Sequence, residues 1–95
     1  MLFLKSLSLD FIYSEVVSGF ESLVSLESLF IRETNLINLD QFANIRSVNS
    51  VFIEFNSQLN DCTPVLCNLI DLAQTSNVEY NGDGCNAEDV NCADE

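Results

Sequence analysis

Apolar residues recur along this chain with two spacings in turn. Val17, Phe20, Leu23 and Leu26 are three apart, and so are Leu39, Phe42, Ile45 and Val48. Each run then gives way to alternation, with Leu29 and Ile31 after the first and Val51 and Ile53 after the second. The two segments align at an offset of 22 residues. Ser25-Leu26-Glu27-Ser28-Leu29-Phe30-Ile31 lies over Ser47-Val48-Asn49-Ser50-Val51-Phe52-Ile53, identical at four of seven positions. A further step of 22 residues back puts Leu4, Leu7 and Leu9 in the same slots, so the chain holds about three units. Alternation over a few residues predicts a strand with one buried face. A longer run spaced by three predicts a coil turning around a core, one side chain inward per short side. A unit of this length cannot bury its apolar side alone, so units must stack. The competing reading is a short helix over Val17 to Leu26, because a spacing of three is close to the helical period.

Taken in order, the pattern predicts a first strand over Leu2 to Phe11, with Leu7 and Leu9 inward and Ser8 and Asp10 outward. Ile12 to Gly19 is an arc with room for a helical turn around Ser14 to Ser18. The second strand is Ser28 to Arg32 and the third Ser50 to Phe55. Thr34-Asn35 turns the chain, and Asn56 occupies the slot of Thr34 one unit later. A polar side chain repeated at each corner can satisfy the backbone inside the turn. Beyond Leu59 the repeat breaks. Thr63 reads as a helix N-cap with Pro64 at the first helical position, and Val65, Leu66, Leu69, Ile70, Leu72 and Ala73 form a helical stripe to about Gln74. Thr75-Ser76-Asn77 reads as a breaker, Val78-Glu79-Tyr80 as a short strand and Asn81 to Gly84 as a loop. A helical turn follows over Asn86 to Cys92, and Ala93-Asp94-Glu95 reads as a fraying end.

These residues carry a resemblance. Asn35 to Ile45 is similar to the N-x-L-x-x-L-x-x-L-x-x-L turn of leucine-rich solenoids, and Val51 to Leu59 resembles the L-x-I-x-x-N-x-x-L strand and turn of receptor L-domain-like proteins. Asp61-Cys62, Cys67, Gly84-Cys85-Asn86 and Cys92 resemble the terminal cap of such domains in bacterial surface proteins. The chain departs from the family at Glu27-Ser28 and Asn49-Ser50, where a Gly pair is common. The resemblance implies an α/β fold: a right-handed leucine-rich-repeat-like solenoid with one short parallel strand per coil of about 22 residues and a helical, disulfide-linked C-terminal cap. Residues 1–61 would form three repeats and 62–95 the cap of one continuous domain. The leucines of Met1 to Asp10 fit the repeat register, and Lys5 interrupts the stretch as a signal peptide. The N-terminus therefore reads as the middle of a solenoid, and the chain as a fragment of a longer protein. Its uncapped first coil is expected to fray or self-associate.

Charge narrows the partners. Fifteen Asp and Glu face three Lys and Arg, for a net charge of −12, and no Lys or Arg follows Arg46. Such a surface repels phosphate, which excludes nucleic acid and an anionic membrane surface. No run approaches the 18 or so apolar residues of a membrane-spanning helix. The acidity itself speaks first to solubility, and the alternative reading is a specific basic partner.

The chemistry is confined to cysteines. Cys62, Cys67, Cys85 and Cys92 are even in number and clustered near one end, which reads as two disulfides and a secreted or cell-surface setting. Three pairings are open, and bridges tying the Cys62–Cys67 segment to the Cys85–Cys92 segment are favoured because they would fix the cap to the last repeat. A zinc site is the weaker reading, since the C-x4-C and C-x6-C spacings are not those of structural zinc and the chain has no His. Without His, no Ser-His or Cys-His catalytic arrangement exists. Asn81-Gly82-Asp83-Gly84 lacks the alternating oxygen ligands of a calcium loop and reads as a tight turn. No enzyme activity, metal or cofactor is expected.

What remains are outward strand positions. Alternation places Phe30 and Arg32 beside Phe52 and Glu54. They are the candidate binding residues, and the alternative is a cross-strand pair of Phe30 and Phe52 that only stabilises the sheet. The functional expectation is a non-enzymatic surface module that recognises protein or glycan through its strand face. The alternative is a structural capping segment with no ligand of its own.

Overall fold

The computed structural model describes residues 2–90 and 92. Its centre is a parallel sheet of four strands in the order β1-β2-β3-β4, each strand paired with the next in sequence. The strands are β1 Leu2–Asp10, β2 Leu23–Arg32, β3 Ser47–Glu54 and β4 Thr75–Glu79. One short helix, α1 Val65–Leu72, lies between β3 and β4, and a 3-10 turn occupies Asp40–Phe42.

The register follows the repeat. Leu7 pairs with Leu29 and Leu29 with Val51, while Leu9 pairs with Ile31 and Ile31 with Ile53. Leu29, Ile31, Val51 and Ile53 are fully buried. They meet Leu36, Leu39, Phe42, Ile45 and Leu59 from the connecting segments and Leu66 and Leu69 from α1 in one core. Burying a side chain of this size contributes about 1.5–3 kcal/mol, so the inward row is the main source of stability.

Strands β2 and β3 begin earlier than expected, at Leu23 and Ser47, and no helix forms over Val17 to Leu26. The spacing of three is nevertheless a bend. Leu23, Leu26 and Leu29 are all buried, and the ladder skips Glu27, whose neighbours in register are Lys5 and Asn49. The chain turns a corner there, with paired backbone on both arms. Residues Ile12 to Gly19 hold no helical turn. Two of their carbonyls accept from backbone of the following connection: Asn35 N–H donates to Ile12 O at 2.8 Å and Ile37 N–H to Glu15 O at 3.0 Å. A carbonyl used there does not serve a local turn.

The C-terminal third brings two further differences. Pro64, not Thr63, stands at the N-cap of α1, with no side-chain cap. Leu66 N–H donates instead to Cys62 O at 2.7 Å, so the backbone upstream supplies the acceptor. Thr75-Ser76-Asn77, read as a breaker, belongs to β4, where these residues pair with Ser50, Val51 and Phe52. The waiting edge of β3 outweighs their weak strand preference. Asn86 to Val90 makes one helical turn, Val90 N–H donating to Asn86 O at 2.8 Å. Asn91, the rest of the turn read to Cys92, and Ala93 to Glu95, read as a fraying end, lie outside the described residues.

Two disulfides cross this region, Cys62 to Cys85 and Cys67 to Cys92. Both run between the two segments that the sequence reading paired. Disulfides persist in oxidising compartments. No helix among the described residues is long and apolar enough to cross a membrane.

Candidate functional site

The face of the sheet opposite the core carries no helix among the described residues. Its side chains form rows across the strands. Ser6, Ser28, Ser50 and Thr75 make one row, and Ser8, Phe30, Phe52 and Asn77 the next. Asp10, Arg32, Glu54 and Glu79 make the third. Parallel register places each repeat position beside its equivalent, so the rows copy the repeat.

Phe30, Arg32, Phe52 and Glu54 are brought together. The rings of Phe30 and Phe52 stack with centroids 5.1 Å apart and planes at 7°. The Arg32 guanidinium sits 5.2 Å from the Phe30 centroid, and its Nε is 3.5 Å from Asp10 Oδ1. Glu54 accepts a hydrogen bond from the Asn77 side-chain amide. All four residues are half-buried. The stacked pair stabilises the sheet as a cross-strand contact and also presents an apolar strip between polar rows.

A polar ladder behind the strands holds this face in register. Asn56 is fully buried. Its Oδ1 accepts from Thr34 N–H at 3.1 Å and from the Thr34 hydroxyl at 2.6 Å, while its Nδ2 donates to Ile31 O at 2.9 Å. Asn81 repeats the arrangement: its Oδ1 accepts from Asn56 N–H at 3.2 Å and its Nδ2 donates to Ile53 O at 2.9 Å. Asn86 ends the run, its Oδ1 accepting from Asn81 N–H at 2.7 Å. The corner slot at Thr34 and Asn56 was visible in the sequence. Asn81 was not, because the offset there is 25 residues rather than 22. The aromatic-Asn dipeptide, Phe55-Asn56 and Tyr80-Asn81, is the signal that would have revealed it. This use of Asn81 accounts for its place in the turn before Gly82.

The residue just after each strand end was missed altogether. Phe11, Glu33, Phe55 and Tyr80 all have positive φ, at 58°, 54°, 59° and 62°. An L-residue in this left-handed region costs about 1–2 kcal/mol, and Gly or Asn is usual there. Here three of the four are large aromatics, and their rings stand in solvent, 62%, 52% and 63% exposed for Phe11, Phe55 and Tyr80. Backbone bonds fix the corners: Phe11 N–H donates to Arg32 O, Glu33 N–H to Glu54 O and Phe55 N–H to Glu79 O, at 3.1–3.3 Å. Phe55 and Tyr80 stack at 4.8 Å and 7°. A surface cavity of about 340 Å³ opens at this edge, lined by Asp10, Phe11, Arg32, Glu33, Glu54 and Phe55.

Among the described residues no group of three or more His, Cys, Asp or Glu is arranged to hold a metal ion. Asp89 lies below the ordinary carboxylate range because backbone N–H groups of Asn86, first, and Gly84 donate to it, at 2.8 and 3.2 Å. It acts as a local tie in the C-terminal turn. The surfaces described here offer stacking, hydrogen bonding and negative charge. Compared with models of protein families, with curated proteins and with solved structures, the chain matches none.

Proposed function

We propose that this chain is a non-enzymatic binding module, a leucine-rich-repeat-like or receptor L-domain-like solenoid acting outside the cell or at its surface. In this reading residues 1–61 supply the repeats, and the stretch from 62 on, tied by two disulfides, closes their end. The 22-residue register and the Thr34-Asn56-Asn81 ladder support the solenoid reading. The single observation that carries the binding reading is the uncovered outer face of a parallel sheet. Parallel sheets are ordinarily covered on both faces, and repeat proteins use such open surfaces for recognition. Phe30, Arg32, Phe52 and Glu54 form the patch on that face, and the partner is a protein or a glycan.

The test is binding of the purified chain to arrayed glycans and arrayed extracellular proteins, repeated with Arg32→Ala/Phe52→Ala. A specific partner lost in the double variant, with the melting transition retained, supports the reading. A partner bound equally by both rejects this face. The second reading is a structural segment that closes a longer solenoid and has no ligand. It is favoured by the internal satisfaction of the patch, since Phe30 stacks on Phe52 and Arg32 pairs with Asp10. Absence of any specific partner in both arrays supports it.

A further inference from the structure

The aromatic row at the strand ends stays mostly in solvent, although Phe55 and Tyr80 stack on each other. Phe11, Phe55 and Tyr80 lie at equivalent corners and contribute mostly exposed rings. Side chains that follow Glu33, Phe55 and Tyr80 already hold those corners, through Thr34, Asn56 and Asn81, with Asn86 behind Asn81. The aromatic side chains are therefore free to act outward. Contiguous exposed apolar surface rimmed by polar residues marks an interaction site.

Charge selects the partner. Among the described residues, four carboxylates stand beside the rings, those of Asp10, Glu33, Glu54 and Glu79, against one cation, Arg32, whose guanidinium already faces Asp10 and Phe30. Glu33 occupies the corner between Phe11 and Phe55, which interleaves a carboxylate with the rings. An aromatic face attracts an ammonium or guanidinium within about 6 Å of its centroid, and a neighbouring carboxylate adds charge and a hydrogen-bond acceptor. The chain as a whole, at net −12, steers cations toward this edge and anions away. Neutral sugars also stack on aromatic rings and donate hydroxyl hydrogen bonds to carboxylates, but they carry no charge for the carboxylates or the net field to attract.

We infer that the corner row Phe11-Glu33-Phe55-Tyr80, with Asp10, Glu54 and Glu79 beside it, is a docking surface for a short Lys- or Arg-rich extended segment of a partner protein. Four corners at the strand spacing of about 4.8 Å span about 14 Å, the length of four or five extended residues. Alkyl stems of the basic side chains lie on the rings, and their charged heads meet the carboxylates. The inference rests on the binding-module reading, names the partner's chemistry, and moves the contact from the sheet face to the strand ends.

The test is a titration of the isotope-labelled chain with a blocked peptide of alternating lysine and glycine, followed by NMR. A glutamate-glycine peptide and cellohexaose serve as comparisons. Amide shifts concentrated at residues 10–13, 32–35, 54–57 and 79–82, with affinity lowered at least tenfold in Phe55→Ala/Tyr80→Ala, are expected. Affinity should be unchanged in Asp71→Asn, an exposed acid on α1. If the aromatic double variant does not fold, Glu33→Gln/Glu79→Gln carries the test and should weaken binding by a similar factor. Shifts scattered over all surface acids, with no loss in either double variant, overturn the inference. Cellohexaose binding at the corners without the lysine peptide also overturns it, by making the partner a carbohydrate. Retention of an array partner that needs Phe52 and Arg32 would leave the sheet-face reading standing. Loss of both results removes the binding module altogether.

Discussion

Asn56 Oδ1 accepts two hydrogen bonds from Thr34, one from its backbone N–H at 3.1 Å and one from its hydroxyl at 2.6 Å. The same side chain donates to Ile31 O and to Asn81 Oδ1, both at 2.9 Å. One buried amide thus joins three successive corners. Asn56→Ala leaves the Thr34 N–H and the Ile31 carbonyl without these partners. Each buried group left unsatisfied costs about 1–3 kcal/mol, so a loss of about 2–5 kcal/mol is expected from a total of about 5–15. Calorimetric melting checks it. Asn35→Ala is the contrast: the Asn35 amide donates to Tyr13 O at 3.3 Å in an exposed setting, and its loss should cost less than about 1 kcal/mol.

Gly82 is required by close approach rather than by its backbone angles. A Cβ there would overlap the Leu59 carbonyl oxygen and lie 3.2 Å from Ser57 O. Both neighbours are backbone, and Gly82 N–H donates to Asn56 O at 3.1 Å, so neither side can yield without opening the ladder. Gly82→Ala should lower the melting temperature strongly, while alanine at exposed Ala43's neighbour, Asn44→Ala, removes only a surface bond to Glu21 O. Equal melting of both variants would reject the steric argument.

The disulfides predict an order of loosening. Thiols should be unreactive toward a labelling reagent in denaturant until a reductant is added. Each bridge spans a separation of 23 or 25 residues. Closing loops of this size stabilises by roughly 3 kcal/mol each, in the chain-entropy account. On reduction, hydrogen exchange should rise first at α1, β4 and the turn after Gly84, and later in β2 and β3. Four reactive thiols in the oxidised protein would contradict the bonding.

Asp89 predicts a local response to acid. Its folded carboxyl titrates below the ordinary value of 3.8, chiefly through the Asn86 N–H and then the Gly84 N–H. Folding therefore favours the charged form. The contribution is complete above the unfolded value and is lost as the pH falls through the lower folded one. NMR titration should find Asp89 below the ordinary carboxylate value, and exchange at residues 84–90 rising as the pH falls through its folded midpoint. Asp89→Asn should show the faster exchange at neutral pH.

The outer edge of β1 predicts self-association. β1 is an edge strand, and no strand among the described residues pairs with its outer side. Phe3 is exposed there, while Leu4, Leu7, Ile12 and Val17 are only partly buried against the core. Open edges template further pairing. Sedimentation should show concentration-dependent dimers despite the net charge, reduced by Phe3→Lys. A strictly monomeric species with β1 as protected from exchange as β3 would reject the prediction.

The repeat, the inward row and the outward row are legible in the sequence alone. Leu7, Leu29 and Val51 share a register because a side chain buried in one unit must find its equivalent in the next, so burial writes its period directly into the chain. The Thr34 and Asn56 corner was legible for the same reason, as was the even set of cysteines. The rest depends on contacts between distant parts of the chain. Thr75-Ser76-Asn77 became strand only because β3 offered an unpaired edge, and the cysteine pairing depended on which segments that strand drew together. The left-handed backbone at Phe11, Glu33, Phe55 and Tyr80 has no signature in residue type, since Phe, Glu and Tyr do not favour it. At Phe11, Glu33 and Phe55 it accompanies closure of the corner against the next strand, a contact between residues more than twenty positions apart.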